Sequence, residues 1–144
     1  MRSTEIKARI FRGLREKKLK LTSQRREIID IFAHDKSHPN ALDIYKKATK
    51  KKPKISLSTV YYTLDILKRE GLIKELEFCD KDNRYEGDIS DHLNLVCTEC
   101  RKIEDFKARL PVSSELVEDK TGFKVGGMRF EYYGLCKECG KKRG

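Results

Sequence analysis

The chain has 144 residues, 39% of them charged and 38% hydrophobic, with a formal net charge of +10. That length allows one domain or two small ones, each with a modest core. No run is long or apolar enough to cross a membrane, and a chain with cysteines but no apolar signal segment is expected in the cytoplasm.

Residues 4–18 predict a helix with Ile6, Ile10 and Leu14 on one face and Arg9, Arg12 and Arg15 beside it. Thr22 reads as the N-cap of a second helix over 23–34, whose apolar stripe is Ile28, Ile29, Ile31 and Phe32. Ser37-His38-Pro39-Asn40 breaks the pattern, and a third helix over 41–50 turns Ala41, Ile44, Tyr45 and Ala48 inward. Ser56 or Ser58 caps a fourth, which Gly71 stops. Along it Leu57, Val60, Tyr61, Leu64 and Leu67 recur at helical spacing, leaving Ser58, Thr59, Tyr62 and Thr63 outside. The alternating run Leu72–Phe78, a polar turn at Asp80–Asn83 and Arg84-Tyr85-Glu86 predict a β-hairpin.

Helices followed by a hairpin describe a winged helix-turn-helix over residues 1–87. The charge agrees: residues 1–80 hold a net +9 and residues 81–144 a net +1, so the basic excess that a polyanion requires lies in one half. In a DNA complex the fourth helix enters the major groove. Its first turn, with Ser58, Thr59, Tyr61 and Tyr62, suits thymine methyls and phosphates more than bidentate guanine reading. Arg12, Arg15, Arg25, Arg26 and Lys74 are expected on backbone phosphates. A helical protein-interaction domain is the plainer alternative; the hairpin and the charge favour DNA.

Residues 88–144 predict a small α/β domain, giving an α+β chain overall. Strands over 92–97 and 102–106 precede a helix from Pro111 through Asp119, ended by Thr121-Gly122, and a β-rich run over Phe123–Leu135. Val125, Phe130, Tyr132 and Tyr133 are more apolar surface than one such unit hides, so a homodimer is expected. Two Cys-x-x-Cys pairs, Cys97/Cys100 and Cys136/Cys139, stand 35 residues apart. Two such knuckles suit one tetrahedral structural Zn²⁺. A redox dithiol needs a βαβ setting that neither pair has, and disulfides suit secreted chains. Cys79 has no partner at ligand spacing and reads as a core residue or an idle thiol.

These residues carry a resemblance. Leu21-Thr22-Ser23-Gln24-Arg25, Ser37-His38-Pro39, Ser58-Thr59-Val60-Tyr61, Glu70-Gly71-Leu72-Ile73, Arg84-Tyr85-Glu86, Cys97-Thr98-Glu99-Cys100 through Asp105-Phe106, and Tyr133-Gly134-Leu135-Cys136-Lys137-Glu138-Cys139 together resemble the ferric uptake regulator family. The resemblance spans almost the full chain. It implies a homodimeric metal-dependent repressor of double-stranded DNA operators, not an enzyme, with a winged helix, a dimerisation domain, structural Zn²⁺ and a second, regulatory metal between the domains. In the family's peroxide-sensing branch the regulatory ligands fall at His38, Glu86, His92, Asn94 and Asp105. That branch usually has aspartate at Glu86 and histidine at Asn94; Asp105, where iron sensors typically carry glutamate, leans toward it. The family's further surface metal site, whose histidines align near Met128 and Asn94, is expected to be absent.

Two imidazoles, two carboxylates and an amide oxygen make an oxygen-rich set, better suited to Fe²⁺ or Mn²⁺ than to a soft tetrahedral site. The rival functions are a zinc-responsive regulator of the same family, a zinc-ribbon nucleic-acid-binding protein and a dithiol oxidoreductase. The ribbon reading leaves the winged-helix pattern and His38, Glu86, His92 and Asp105 unused.

Overall fold

Apolar side chains three and four apart commit the first part of the chain to helices. The computed structural model describes residues 2–78 and 83–143, divided into two units, Met1–Ile89 and Ser90–Gly144. Cys79 and the expected turn at Asp80–Asn83, Asn83 excepted, lie outside the described residues. The first unit contains α1 (Ser3–Glu16), α2 (Ser23–His34), α3 (Ala41–Lys51), α4 (Leu57–Arg69), β1 (Lys74–Leu76) and β2 (Arg84–Glu86). Thr22, Asn40 and Ser56 cap their helices by accepting from the backbone N–H groups of Arg25, Asp43 and Thr59. Gly71, at φ +71°, takes the left-handed turn that ends α4.

Ile6, Ile10 and Leu14 of α1 meet Ile28, Ile29 and Phe32 of α2, Ile44 of α3, and Val60, Leu64 and Leu67 of α4 in one core. Three positions of α4 depart from the sequence expectation, the first being Leu57, which was assigned to the apolar stripe and is exposed in the opening turn. Tyr61, assigned to the apolar stripe, is 52% exposed, because it shares the outer face with Ser58, Tyr62 and Asp65 at i, i+3, i+4 and i+7. Thr63, assigned outside, is buried; its hydroxyl donates to the Thr59 carbonyl at 2.8 Å, which satisfies the polar atom within the helix.

The hairpin is antiparallel, with Lys74 opposite Glu86 and Leu76 opposite Arg84. Its strands are shorter than the alternation over 72–78 implied. Arg9 of α1 fastens both ends of its root, donating to the Leu72 carbonyl at 2.8 Å and the Gly87 carbonyl at 2.6 Å. A Cβ at Gly87 would stand 2.7 Å from Ile6 Cγ2, so only glycine lets α1 approach this closely.

The second unit contains β3 (Leu93–Cys97), β4 (Ile103–Phe106), α5 (Ser114–Thr121), β5 (Glu131–Gly134) and α6 (Lys137–Arg143). The sheet order is β4-β3-β5, with β3 antiparallel to β4 and parallel to β5. The helix begins after Ser113 rather than at Pro111, because the Ser113 side chain accepts from the Leu116 N–H. The run over 123–135 is strand only at Glu131–Gly134; Gly126-Gly127 weakens the rest. The second Cys-x-x-Cys pair opens α6. The α+β expectation, winged helix first and small α/β unit second, holds. No helix among the described residues is long and apolar enough to cross a membrane.

Candidate metal centres and nucleic-acid interface

Cys97 ends β3, Cys100 follows it, and Cys136 and Cys139 flank the start of α6. Arg101 closes the first knuckle at φ +70°, returning its N–H to the Cys97 carbonyl at 3.0 Å. The four sulfurs lie within 4.8 Å of one another, and no disulfide joins them. Cys100 and Cys136 sulfurs are 3.8 Å apart; four ligands at about 2.3 Å from a tetrahedral zinc stand about 3.8 Å apart. The backbone N–H groups of Cys136 and Cys100 hold the Cys97 thiol down to about 6, while the Cys136 side chain and burial push Cys139 up to about 12. Four adjacent thiols cannot share much negative charge unaided, and a cation in their midst removes that limit.

In the first unit, His38 follows the turn after α2. Lys47 holds the Asp35 carboxylate at 2.6 Å, and the Ser37 N–H donates to that carboxylate at 2.9 Å. His38 and Glu86 are both buried, with His38 Nε2 3.0 Å from Glu86 Oε2. The Tyr85 N–H donates to the Pro39 carbonyl at 3.0 Å, and Arg84 Nη1 donates to the His38 carbonyl at 2.8 Å. Arg84 was not among the site residues read from sequence. Its signals there were its place in the family segment Arg84-Tyr85-Glu86 and the alternation that puts it on the Glu86 side of the strand.

In the second unit, His92 Nδ1 lies 2.8 Å from the Ser90 carbonyl. That contact favours the Nδ1–H tautomer and puts the ring's lone pair on Nε2, as a metal ligand needs. His92 Nε2 lies 3.4 Å from Asp105 Oδ1. Asn94 sits opposite Asp105 in the β3–β4 register, and it is two residues from His92, which puts both on one face. The Asn94 side-chain oxygen is buried and has no hydrogen-bond partner among the described residues. An amide oxygen left so is costly unless a cation or donor meets it. The donor set therefore fits an oxygen-preferring divalent ion.

The outer face of α4 presents Ser58, Tyr61 and Tyr62 to solvent, with Thr59 half-buried beside them. Ser56 bonds both the Ser58 and Thr59 hydroxyls, at 3.0 and 2.9 Å. Arg25 is less free than a simple phosphate contact: it donates to the Lys20 carbonyl at 2.6 Å and lies 5.8 Å from the Tyr62 ring centre. Arg26 lies over Phe11. Arg12 and Arg15 are exposed on α1, and Lys74 is half-buried on β1.

A sequence profile described as the ferric uptake regulator family matches residues 16–133. The chain is 40% identical over 130 residues to the peroxide operon regulator of Bacillus subtilis, covering 90% of each. It superposes on the crystal structure of the Campylobacter jejuni peroxide stress regulator with a TM-score of 0.71 at 33% identity, covering 90% of this chain and 98% of that one. A zinc-bound manganese uptake regulator gives a TM-score of 0.66 at 30% identity, covering 88% and 98%.

Proposed function

The chain belongs to the ferric uptake regulator family of metal-dependent repressors, and from that premise we propose how it is switched. Cys97, Cys100, Cys136 and Cys139 hold a structural Zn²⁺. His38 and Glu86 of the first unit join His92, Asn94 and Asp105 of the second around a regulatory Fe²⁺ or Mn²⁺. The chain acts in the cytoplasm as a homodimer on a double-stranded operator, with α4 in the major groove and Arg12, Arg15, Arg25 and Lys74 on phosphates.

The observation that carries this reading is the pairing inside each unit: an imidazole and a carboxylate stand 3.0 Å apart in one and 3.4 Å apart in the other. Each pair would supply two of the donors that an oxygen-preferring ion takes up, and neither pair alone would satisfy it. When bound, the ion supplies coordination bonds that favour the arrangement of units in which both pairs reach it. At a hundred times its dissociation constant that preference is worth ~2.7 kcal/mol, enough to shift a modest open-to-closed equilibrium.

The test is binding to a palindromic duplex while Mn²⁺ is titrated, in zinc-loaded protein. DNA affinity is expected to rise with Mn²⁺ in the unaltered chain and to lose that response in His38→Ala and Asp105→Ala. Metal-independent binding, or a preference for RNA, would overturn the proposal. The relatives named for peroxide favour a second layer of sensing. Fe²⁺-loaded protein exposed to H₂O₂ is then expected to gain one oxygen on His38 or His92, with water as the other product, read by mass spectrometry.

A further inference from the structure

We propose that Arg84 is a positioning residue for the regulatory ion: by gripping the His38 carbonyl it holds that histidine in its ligating conformation and ties ion affinity to the hairpin. The inference rests on the reading of His38 and Glu86 as ligands, and it adds a residue and a route of control. His38 has φ +59°, in the left-handed region that residues with a Cβ adopt reluctantly. Glycine would take that conformation freely, but glycine has no imidazole. The strain must therefore be held from outside.

Strand β2 supplies the hold with three consecutive residues. Arg84 Nη1 donates to the His38 carbonyl at 2.8 Å, the Tyr85 N–H donates to the Pro39 carbonyl at 3.0 Å, and Glu86 meets His38 Nε2 at 3.0 Å. Arg84 and Glu86 are two apart and share a side of the strand. One therefore fixes the backbone of His38 while the other meets its ring. Without the Arg84 donors the 38–39 peptide can relax toward an ordinary conformation and swing the imidazole out of line with Glu86.

The same strand pairs with β1, where Lys74 stands opposite Glu86. Lys74 is a candidate phosphate contact, so contact of the hairpin with DNA and the alignment of His38 act on paired strands of one hairpin. Coupling of this kind is reciprocal: what steadies β2 raises ion affinity, and a bound ion steadies β2.

The experiment measures Mn²⁺ affinity calorimetrically in zinc-loaded full chain for Arg84→Met, Arg84→Gln and Arg84→Lys, beside His38→Ala. Arg84→Met, which keeps an apolar stem but no donor, is expected to weaken Mn²⁺ binding roughly tenfold, within the range of other ligand-orienting contacts. Arg84→Lys, with a long stem and a donor, is expected to stay within about threefold of the unaltered protein by the same comparison. Hydrogen exchange of the Tyr85 amide in the Mn²⁺-free Met variant should quicken, while the amides of Ile28 and Leu64 stay protected. If Arg84→Met does not fold, Arg84→Gln carries the test, because its short neutral amide is expected to weaken binding as well. Mn²⁺ affinity equal to the unaltered protein in Met or Gln overturns the role of Arg84. An unaltered affinity in His38→Ala instead overturns the regulatory site itself, so the two failures are distinguishable.

Discussion

The two units enclose their side chains to different depths. In the first, Ile10, Ile28, Ile29, Ile44, Val60 and Leu64 are fully buried, and four helices contribute to one core. In the second, α5 buries no residue, and the buried apolar side chains among those described are Leu93, Val96, Cys97, Ile103 and Cys139. Two of those are metal-ligand candidates. Phe106, Phe123, Tyr132, Tyr133 and Leu135 stay exposed. A helical unit of this kind is stabilised by packing, whereas a sheet so thinly covered needs a staple and a covering partner.

The largest effect expected from that contrast is on metal removal. Binding of structural zinc is worth about 10–16 kcal/mol at neutral pH, more than a small domain's whole stability. Chelation, or Cys136→Ser, is expected to abolish the ordered amide signals of residues 90–143 and to leave the core of α1–α4 folded. Loss of both units together would break the comparison. The complementary change is Leu64→Ala. It should cost the first unit about 2–5 kcal/mol through lost burial and a residual cavity. The zinc-dependent transition of the second unit should stay where it was in calorimetry.

The contrast also explains what could be read in advance. Helix periodicity and the caps Thr22 and Ser56 were legible, because local spacing and local hydrogen bonds decide them. The cysteine knuckles were legible because their chemistry fixes their spacing. Thr63 was misplaced because a hydrophobicity pattern does not see a hydroxyl satisfied by its own helix, and Tyr61 because it shares the outer face with Ser58, Tyr62 and Asp65. The start of α5 was misplaced because Ser113 outcompetes Pro111 as a terminus. At the candidate site, residue types pointed to His38, Glu86, His92 and Asp105 only with the family pattern in view. The role of Arg84 was hidden, since it depends on a positive φ at His38 and on a contact 46 residues away in sequence.

A smaller effect bears on the ligands proposed in the second unit for the regulatory ion. Asn94 offers one neutral oxygen where an imidazole would be a stronger donor to Fe²⁺ or Mn²⁺. Asn94→His is expected to tighten Mn²⁺ binding roughly tenfold, about 1.4 kcal/mol, with no change in the thermal stability of the first unit. An unchanged affinity would mean that the Asn94 oxygen does not face the ion.

The smallest effect separates the units by acid. Lys7 Nζ lies 2.6 Å from Asp30 Oδ1, joining α1 to α2, and this hydrogen bond holds the Asp30 carboxyl below its ordinary value of 3.8. A depressed carboxyl contributes stability that is complete above its unfolded value and is lost as pH falls through the folded one. Both side chains are partly exposed, so Lys7→Met should cost no more than about 1 kcal/mol at pH 7, less in high salt. The deficit should vanish once Asp30 is protonated in the folded chain; a deficit that persisted there would assign it to packing of the lysine stem on Phe11. The second unit responds to acid through a different group. The zinc proposed for it needs thiolates, and without metal the backbone N–H groups of Cys136 and Cys100 hold the Cys97 thiol down to about 6 while the Cys136 side chain and burial push Cys139 up to about 12. Protons therefore compete with the metal for sulfur well before they reach Asp30. Lowering the pH should accordingly unfold residues 90–143 first, while the α1–α2 bridge is still intact.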